Sequence, residues 1–308
     1  MRAIPFIQTS VFVDERYSFS GNQLATFWDH ILNSRLTDEE MQGIALEMQH
    51  SETTFTLAPT LANCSSKVRI FTPGMEIPFA GHPTLGTAYV LRYKRLVSPT
   101  DSEVQLELGV GPIKVRYLSE DAIQMAQGRP KFMETWTQKG AVADAIGLRA
   151  DEILDTSPME FVSTGAPFLI VPVKSLIAIQ RASPNAPTLL KVLSGQPSQD
   201  VVLFSTEHIN ADSNVHVRMF GPGVGVLEDP ATGSAAGPLG AYLKMHDILP
   251  ETGSKDKIVI EQGYEIRRPS RLEVTTSGGK SPREVYVSGK VRLVAEGRLY
   301  VRTEDKRS

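Results

Sequence analysis

The chain has 308 residues, enough for two domains that each bury a core without disulfide staples. Lys and Arg number 32 against 35 Asp and Glu, a net charge of −3, which sets aside a general nucleic-acid binder but leaves room for a local basic pocket. The only cysteine is Cys64, so an intramolecular disulfide, a multi-cysteine zinc site and a two-thiol acid/base pair are all excluded.

Residues 4–13 read as a first strand closed by Asp14-Glu15-Arg16, and Ser20-Gly21-Asn22 leads into a short strand over 24–28. Thr37 followed by Glu40 forms a capping box, and Met41, Ile44, Ala45 and Met48 continue an amphipathic helix over 38–48. Strands are expected at 51–57, 67–71, 104–108, 113–117, 168–173, 201–204, 215–220, 258–260, 271–275, 285–288 and 291–301. Helices are expected at 84–93, 140–147, 187–194 and 234–245. With 24 Gly and 20 Pro as punctuation, this is many short strands with few helices. It is not regular βαβ alternation, and it points to an α+β, barrel-like architecture rich in antiparallel sheet. The most apolar stretch, residues 168–179, is short and broken by Pro172 and Lys174, so no membrane span is expected. The N-terminus alternates like a strand and not like a signal sequence, so the expected compartment is the cytoplasm. Six histidines show no H-E-x-x-H or H-x-H spacing, so no metal is expected.

A diverged repeat runs through the chain. Arg69-Ile70-Phe71-Thr72-Pro73-Gly74 returns as Arg218-Met219-Phe220-Gly221-Pro222-Gly223, and Ala80-Gly81-His82 as Thr232-Gly233-Ser234, as if three residues had been inserted between. Ser20-Gly21-Asn22 has a counterpart in Thr164-Gly165-Ala166. Each later motif runs into a small-residue helix, Leu85-Gly86-Thr87-Ala88-Tyr89 in one half and Leu239-Gly240-Ala241-Tyr242 in the other.

Three segments can carry chemistry. In Phe79-Ala80-Gly81-His82-Pro83-Thr84, Pro83 suits the first helical position and places His82 beside free N–H groups and the positive end of a helix dipole. Such an end holds carboxylate or phosphate and disfavours protonated His. In Glu228-Asp229-Pro230-Ala231-Thr232-Gly233-Ser234, two acids precede a second helix start whose Gly233 and Ser234 can donate to an anion. In Ser51-Glu52-Thr53, a desolvated Glu52 would serve as a base that returns its proton. Each has a plainer use: His82 as a structural turn residue, Asp229 as an ordinary helix cap, Glu52 as a solvated acid. Neither Gly109-Val110-Gly111 nor the Gly221–Gly225 run has the context of a dinucleotide fingerprint.

Taken together, Ser20-Gly21-Asn22, Ser51-Glu52-Thr53-Thr54-Phe55, Glu76-Ile77-Pro78-Phe79-Ala80-Gly81-His82-Pro83-Thr84-Leu85-Gly86, Ser163-Thr164-Gly165-Ala166-Pro167-Phe168 and Glu228-Asp229-Pro230-Ala231-Thr232-Gly233-Ser234-Ala235 resemble the PhzF-like phenazine-biosynthesis family. The resemblance implies the diaminopimelate epimerase-like fold: two pseudo-symmetric domains, each a barrel-like sheet around a central helix, with the site in the cleft between them. It divides the chain into residues 1–127 and 128–308, with the last strand free to cross back to the first half. It implies a homodimer with no cofactor and no metal, acting on a small carboxylate and on neither nucleic acid nor membrane. Epimerases of this fold carry a thiol at each helix start, and the matching positions here are Ala80 and Thr232. By the resemblance, Glu52 shuttles a proton on a small unsaturated or cyclic carboxylate with help from His82 and Asp229, and Asn22, Gly81, Gly233 and Ser234 hold the substrate. Gln23 and Gln49-His50 depart from the family's usual residues, which bears on substrate shape. Two other readings stay open: another secondary-metabolite step at the same site, such as a lyase or cyclisation, and a non-catalytic small-molecule-binding protein.

Overall fold

In the computed structural model, residues 1–28, 36–249 and 257–302 are described. The chain divides into two compact units. The first comprises Met1–Val11, Gln23–Ile123 and Val291–Ser308, the second Phe12–Asn22 and Gln124–Lys290.

The first unit begins with β1 (Arg2–Val11) and β2 (Asn22–Trp28), followed by α1 (Asp38–Met48), β3 (Glu52–Leu57), β4 (Ser66–Phe71), the short β5 (Glu76–Ile77), α2 (Gly81–Tyr93), β6 (Glu103–Leu108) and β7 (Gly111–Tyr117). The capping box is present: the Glu40 N–H donates to Thr37 Oγ1 (3.2 Å) and the Thr37 N–H to Glu40 Oε2 (2.9 Å). Such a cap contributes about 1 kcal/mol. The helix then buries Met41, Ile44 and Ala45 against Phe27, Phe55 and Phe71. β2 runs parallel to β3, β3 antiparallel to β4, β4 antiparallel to β5 and parallel to β6, and β6 antiparallel to β7. α2 is buried from Gly81 through Ala88. Its Gly86 allows the close approach, since a Cβ there would stand 2.5 Å from Leu24 and 2.9 Å from Val11.

After β8 (Ala122–Gln127), which joins the units, come β9 (Lys131–Trp136), α3 (Lys139–Ala145), β10 (Met159–Ser163), β11 (Pro167–Pro172), α4 (Leu176–Arg181), α5 (Ala186–Val192), β12 (Val201–Ser205), β13 (Val215–Gly221), β14 (Val226–Asp229), α6 (Gly233–Met245), β15 (Lys257–Gln262), β16 (Ser270–Ser277) and β17 (Glu284–Val301). The far part of β17 returns to the first unit and pairs antiparallel with β1. Within the second unit β11 is parallel to β12, β12 antiparallel to β13, β13 antiparallel to β14 and parallel to β15, and β15 antiparallel to β16. This is the pairing sequence of β2 through β7 repeated, again with a 13-residue buried helix after the short strand.

The repeat extends to side chains. Arg69 on β4 grips Glu76 on β5 through Nε (2.8 Å) and Nη2 (2.6 Å); Arg218 on β13 grips Glu228 on β14 with the same atoms at the same distances. Each guanidinium lies over the phenylalanine two residues on, 5.1 Å from Phe71 and 4.9 Å from Phe220. The second copy is three residues longer between its arginine and its glutamate, and that longer connection contains the 3-10 turn Pro222–Val224. The Leu85-Gly86 and Leu239-Gly240 match is displaced by two residues from the register set by the helix starts at Gly81 and Gly233. It reflects shared small-residue composition and not equivalent positions.

Several expectations change. α2 and α6 begin at Gly81 and Gly233, three residues and one residue earlier than the helical periodicity indicated, so Pro83 is the third helical residue and His82 lies inside the first turn. The two strands expected at 285–288 and 291–301 are one. Gly289 does not break it; it leaves room for the ring of the buried Phe12, packed against its Cα. α4 went unread because an apolar run hides the Ser175 cap, whose Oγ accepts from the Ala178 N–H at 3.2 Å. Cys64, in a polar stretch of sequence, is a free thiol that is nonetheless buried.

Candidate active site

The first unit gathers two of the expected residues at the start of α2. The N-cap, Ala80, is extended (φ −150°, ψ 151°) and has no side-chain acceptor, so no side chain caps the first turn. The N–H groups of this buried first turn thus have no capping side chain, which suits an anion brought to them. His82 is 2% exposed. The parallel pairing of β2 with β3 sets Glu52 opposite Leu24, beside Gln23. His82 Nε2 lies 3.2 Å from the Gln23 carbonyl and 3.4 Å from Glu52 Oε2. A carbonyl only accepts, so Nε2 carries the proton and donates to Gln23. Burial drives the His82 pKa down to about 3, the Gln23 bond opposing it and the nearby His50 adding to it. His82 is therefore a neutral imidazole at physiological pH, and its contact with Glu52 is not an ion pair. The Glu52 side chain retains 14% exposure, open enough to meet a ligand.

The second unit builds a different arrangement at the start of α6. Asp229 ends β14, with Oδ1 accepting from Asn22 Nδ2 (2.8 Å) and Oδ2 from Thr232 Oγ1 (2.5 Å). Asn22 Nδ2 also donates to the Ala231 carbonyl (3.1 Å). Gln262 closes the set: its Nε2 donates to the Asp229 carbonyl (2.7 Å) and to Thr232 Oγ1 (3.0 Å), and its Oε1 accepts from the Thr232 N–H (3.2 Å). Thr232, the N-cap, thus spends its hydroxyl on Asp229 and leaves its own helix uncapped. Gly233 and Ser234 open that helix, and the Gly233 carbonyl accepts from Gln127 Nε2 (2.8 Å). Asp229 is not the ordinary cap that its position before a helix allowed. Glu228, grouped with it in the sequence, points away to Arg218, as strand alternation requires.

The structure thus brings Glu52 to His82 beside Gly81, and Asn22 to Asp229 beside Gly233 and Ser234. Sequence reasoning missed the Gln23 carbonyl as the partner of His82, and Gln262 as the residue that orients Asp229 and Thr232. Nothing near Gln262 forms a motif, and only the β13–β15 pairing delivers it.

Barrel-like sheets around buried helices, with an uncapped helix start in each unit, define the diaminopimelate epimerase-like class. The fold recurs in a probable proline racemase of Agrobacterium radiobacter, which superposes with a TM-score of 0.65 at 10% identity over 98% of this chain and 94% of that one. Residues 9–297 match the family described as phenazine biosynthesis-like protein, and the chain belongs to that family. It is 36% identical over 286 residues to the trans-2,3-dihydro-3-hydroxyanthranilate isomerase of Pseudomonas aeruginosa, covering 91% of this chain and 94% of that protein. A phenazine biosynthesis protein of the PhzF family from Bacillus anthracis superposes with a TM-score of 0.83 at 28% identity, covering 98% of this chain and all of that one. The protein is accordingly an isomerase. Among the described residues no helix is long and apolar enough to cross a membrane.

Proposed function

We propose that the protein moves a proton along a small unsaturated or cyclic carboxylate by general acid/base catalysis. Glu52 takes the proton from the carbon allylic to the carboxylate and returns it at the far end of the diene, on the same face. The observation that carries this reading is the Glu52 carboxylate 3.4 Å from a buried, neutral His82 at an uncapped helix start. His82 cannot act as an imidazolium acid near pH 7; its Nε2–H is committed to the Gln23 carbonyl, and its neutral ring stands 3.4 Å from the Glu52 carboxylate as a neighbour that carries no competing charge. The open N–H groups at Gly81, Gly233 and Ser234 suit a substrate carboxylate and the charge that grows on it as the proton leaves. At the start of α6, Asn22 and Asp229 are the side chains that would orient a carboxylate held there.

The test uses the substrate named for the Pseudomonas aeruginosa relative. With trans-2,3-dihydro-3-hydroxyanthranilate in heavy water, the wild type should form the isomerised product, with deuterium at the reprotonated carbon to the extent that the protonated Glu52 carboxyl exchanges with solvent before it returns the proton. Glu52→Gln should lower turnover by about 10²–10⁴-fold or more while leaving the thermal transition in place. Full activity of that variant would sink the assignment. Consumption of the compound with loss of a fragment, or ring closure without deuterium, would favour the lyase or cyclase reading.

A further inference from the structure

The second unit holds a buried histidine that the proton-transfer reading does not use. His216 on β13 is fully buried, and both ring nitrogens meet carboxylates: Nδ1 lies 2.8 Å from Glu261 Oε1 and Nε2 3.0 Å from Glu265 Oε1. Ionised carboxylates only accept, so two such contacts call for N–H on both nitrogens, the imidazolium form. The two glutamates bracket a five-residue turn, Glu261-Gln262-Gly263-Tyr264-Glu265. Its interior is what the Asp229 half-site leans on. Gln262 bonds the Asp229 carbonyl and Thr232, and Gly263 (φ +82°) lies so close to Pro230 that an added Cβ would stand 2.5 Å from the Pro230 carbonyl oxygen.

We propose that His216, clamped as an imidazolium between Glu261 and Glu265, is a positioning residue for Asp229 and the start of α6. The clamp fixes both ends of the turn, the turn fixes Gln262, and Gln262 fixes the backbone of Asp229 and Thr232. That this matters for catalysis rests on the reading of the α6 start as part of the active site.

The charged and titratable surroundings are consistent with a cation here. Glu261 is further held by the N–H groups of Ile209 and Asn210 and by Asn210 Nδ2, which keeps it ionised, with a pKa near 2. Glu265 Oε2 is 3.9 Å from Arg218, whose charge is already matched by Glu228. Tyr264, with its ring 5.8 Å from the imidazole, donates to Asp14, itself paired with Arg16. Burial alone would depress the pKa of His216, but the two carboxylate bonds outweigh it and the shift is upward. The clamp is therefore complete below the ordinary histidine range and is lost as pH rises through the raised value.

The experiment follows the intact protein by ¹⁵N-histidine NMR and by amide hydrogen exchange, corrected for intrinsic rates. His216 should be doubly protonated at pH 7. Glu265→Gln, a milder change at a partly exposed residue, should move its titration downward by about one pH unit. Exchange at Ala235 and Ala236, whose N–H groups bond the Thr232 carbonyl, should accelerate about tenfold as His216 deprotonates, at lower pH in Glu265→Gln than in wild type and at every pH in His216→Gln. The first turn of α2 in the same samples should not change. A neutral His216 at pH 7, or α6 amides indifferent to its titration, overturns the proposal. Amides that respond in a protein inactive on every carboxylate tried uphold the positioning role and remove the catalytic reading instead.

Discussion

The two helix starts share a scaffold and differ in what surrounds them. At α2 burial dominates: His82 is a neutral imidazole that donates to the Gln23 carbonyl, with the Glu52 carboxylate 3.4 Å away. At α6 the polar groups are saturated: Asp229, Asn22, Thr232 and Gln262 form a closed set of hydrogen bonds. On the proposed function, a carboxylate that must gain and lose a proton is served by the first environment, where burial keeps the neighbouring imidazole neutral. A group that must hold position is better served by the second. The duplicated fold has therefore kept one backbone and built two different environments on it, which on the proposed function divide proton transfer from positioning.

The paired arginines offer the strongest way to break this comparison. Arg218 and Glu228 are nearly buried, and Arg218 Nη1 also donates to the carbonyls that end α4, at Ile179 and Ala182. Arg69 bonds Glu76 in the same way, but Glu76 is 42% exposed and its second partner, Asp38, is 76% exposed. Arg218→Ala strands a buried carboxylate and should cost about 3–5 kcal/mol in chemical denaturation. Arg69→Ala should cost about 1 kcal/mol or less, since water replaces what is lost. Equal losses in the two variants would show that solvent exposure does not separate the copies.

A second contrast is found at the three-residue insertion that only the second copy has. Asp200 accepts from the Gly223 N–H at 2.9 Å and lies almost out of solvent, and burial raises its pKa to about 6. The folded value exceeds the unfolded one, so the native state favours the protonated acid; the destabilisation builds as pH rises from the ordinary Asp value of about 4 to about 6 and is full above that. Asp200→Asn keeps an acceptor for Gly223 without the charge. It should stabilise the protein at pH 8 by about 2–3 kcal/mol, with the gain shrinking through pH 6 and gone below pH 4. Thermal unfolding at those three pH values checks this, and a gain that persists unchanged at pH 4 would contradict it.

Much of this molecule is legible in its sequence, and the gaps have physical causes. The capping box at Thr37 and Glu40 and the Arg-x-Phe repeats are local signals, and they lie where the spacing put them. β9 was invisible because its residues are mostly exposed and carry no apolar alternation. α4 was masked by its own hydrophobicity. The glycine-rich helix starts announced themselves, since only small residues permit so close a packing. The partnerships inside the site did not, because they depend on parallel pairings: β2 with β3 brings Gln23 and Glu52 to His82, and β13 with β15 brings Gln262 to Asp229. Parallel register leaves no local mark, as the strands it joins are separated by whole crossover connections.

The finest test sharpens what the two starts share, an uncapped first turn. Ala80 is extended, as an N-cap should be, yet offers no acceptor, whereas the second copy's Thr232 has one and turns it to Asp229. An open helix start costs stability and is retained here for an incoming anion, on the proposed function. Ala80→Ser supplies the missing acceptor within reach of the first-turn N–H groups. It should raise stability by about 0.5–1 kcal/mol, a typical capping gain. The same hydroxyl would occupy the donors meant for the substrate, so KM for the carboxylate should rise several-fold with kcat less affected. Thr232→Ser is the control, because it keeps the hydroxyl that serves Asp229 and should move neither quantity much. If Ala80→Ser stabilises the fold and leaves KM untouched, the start of α2 is not where the carboxylate binds, and the anion site belongs to α6 alone.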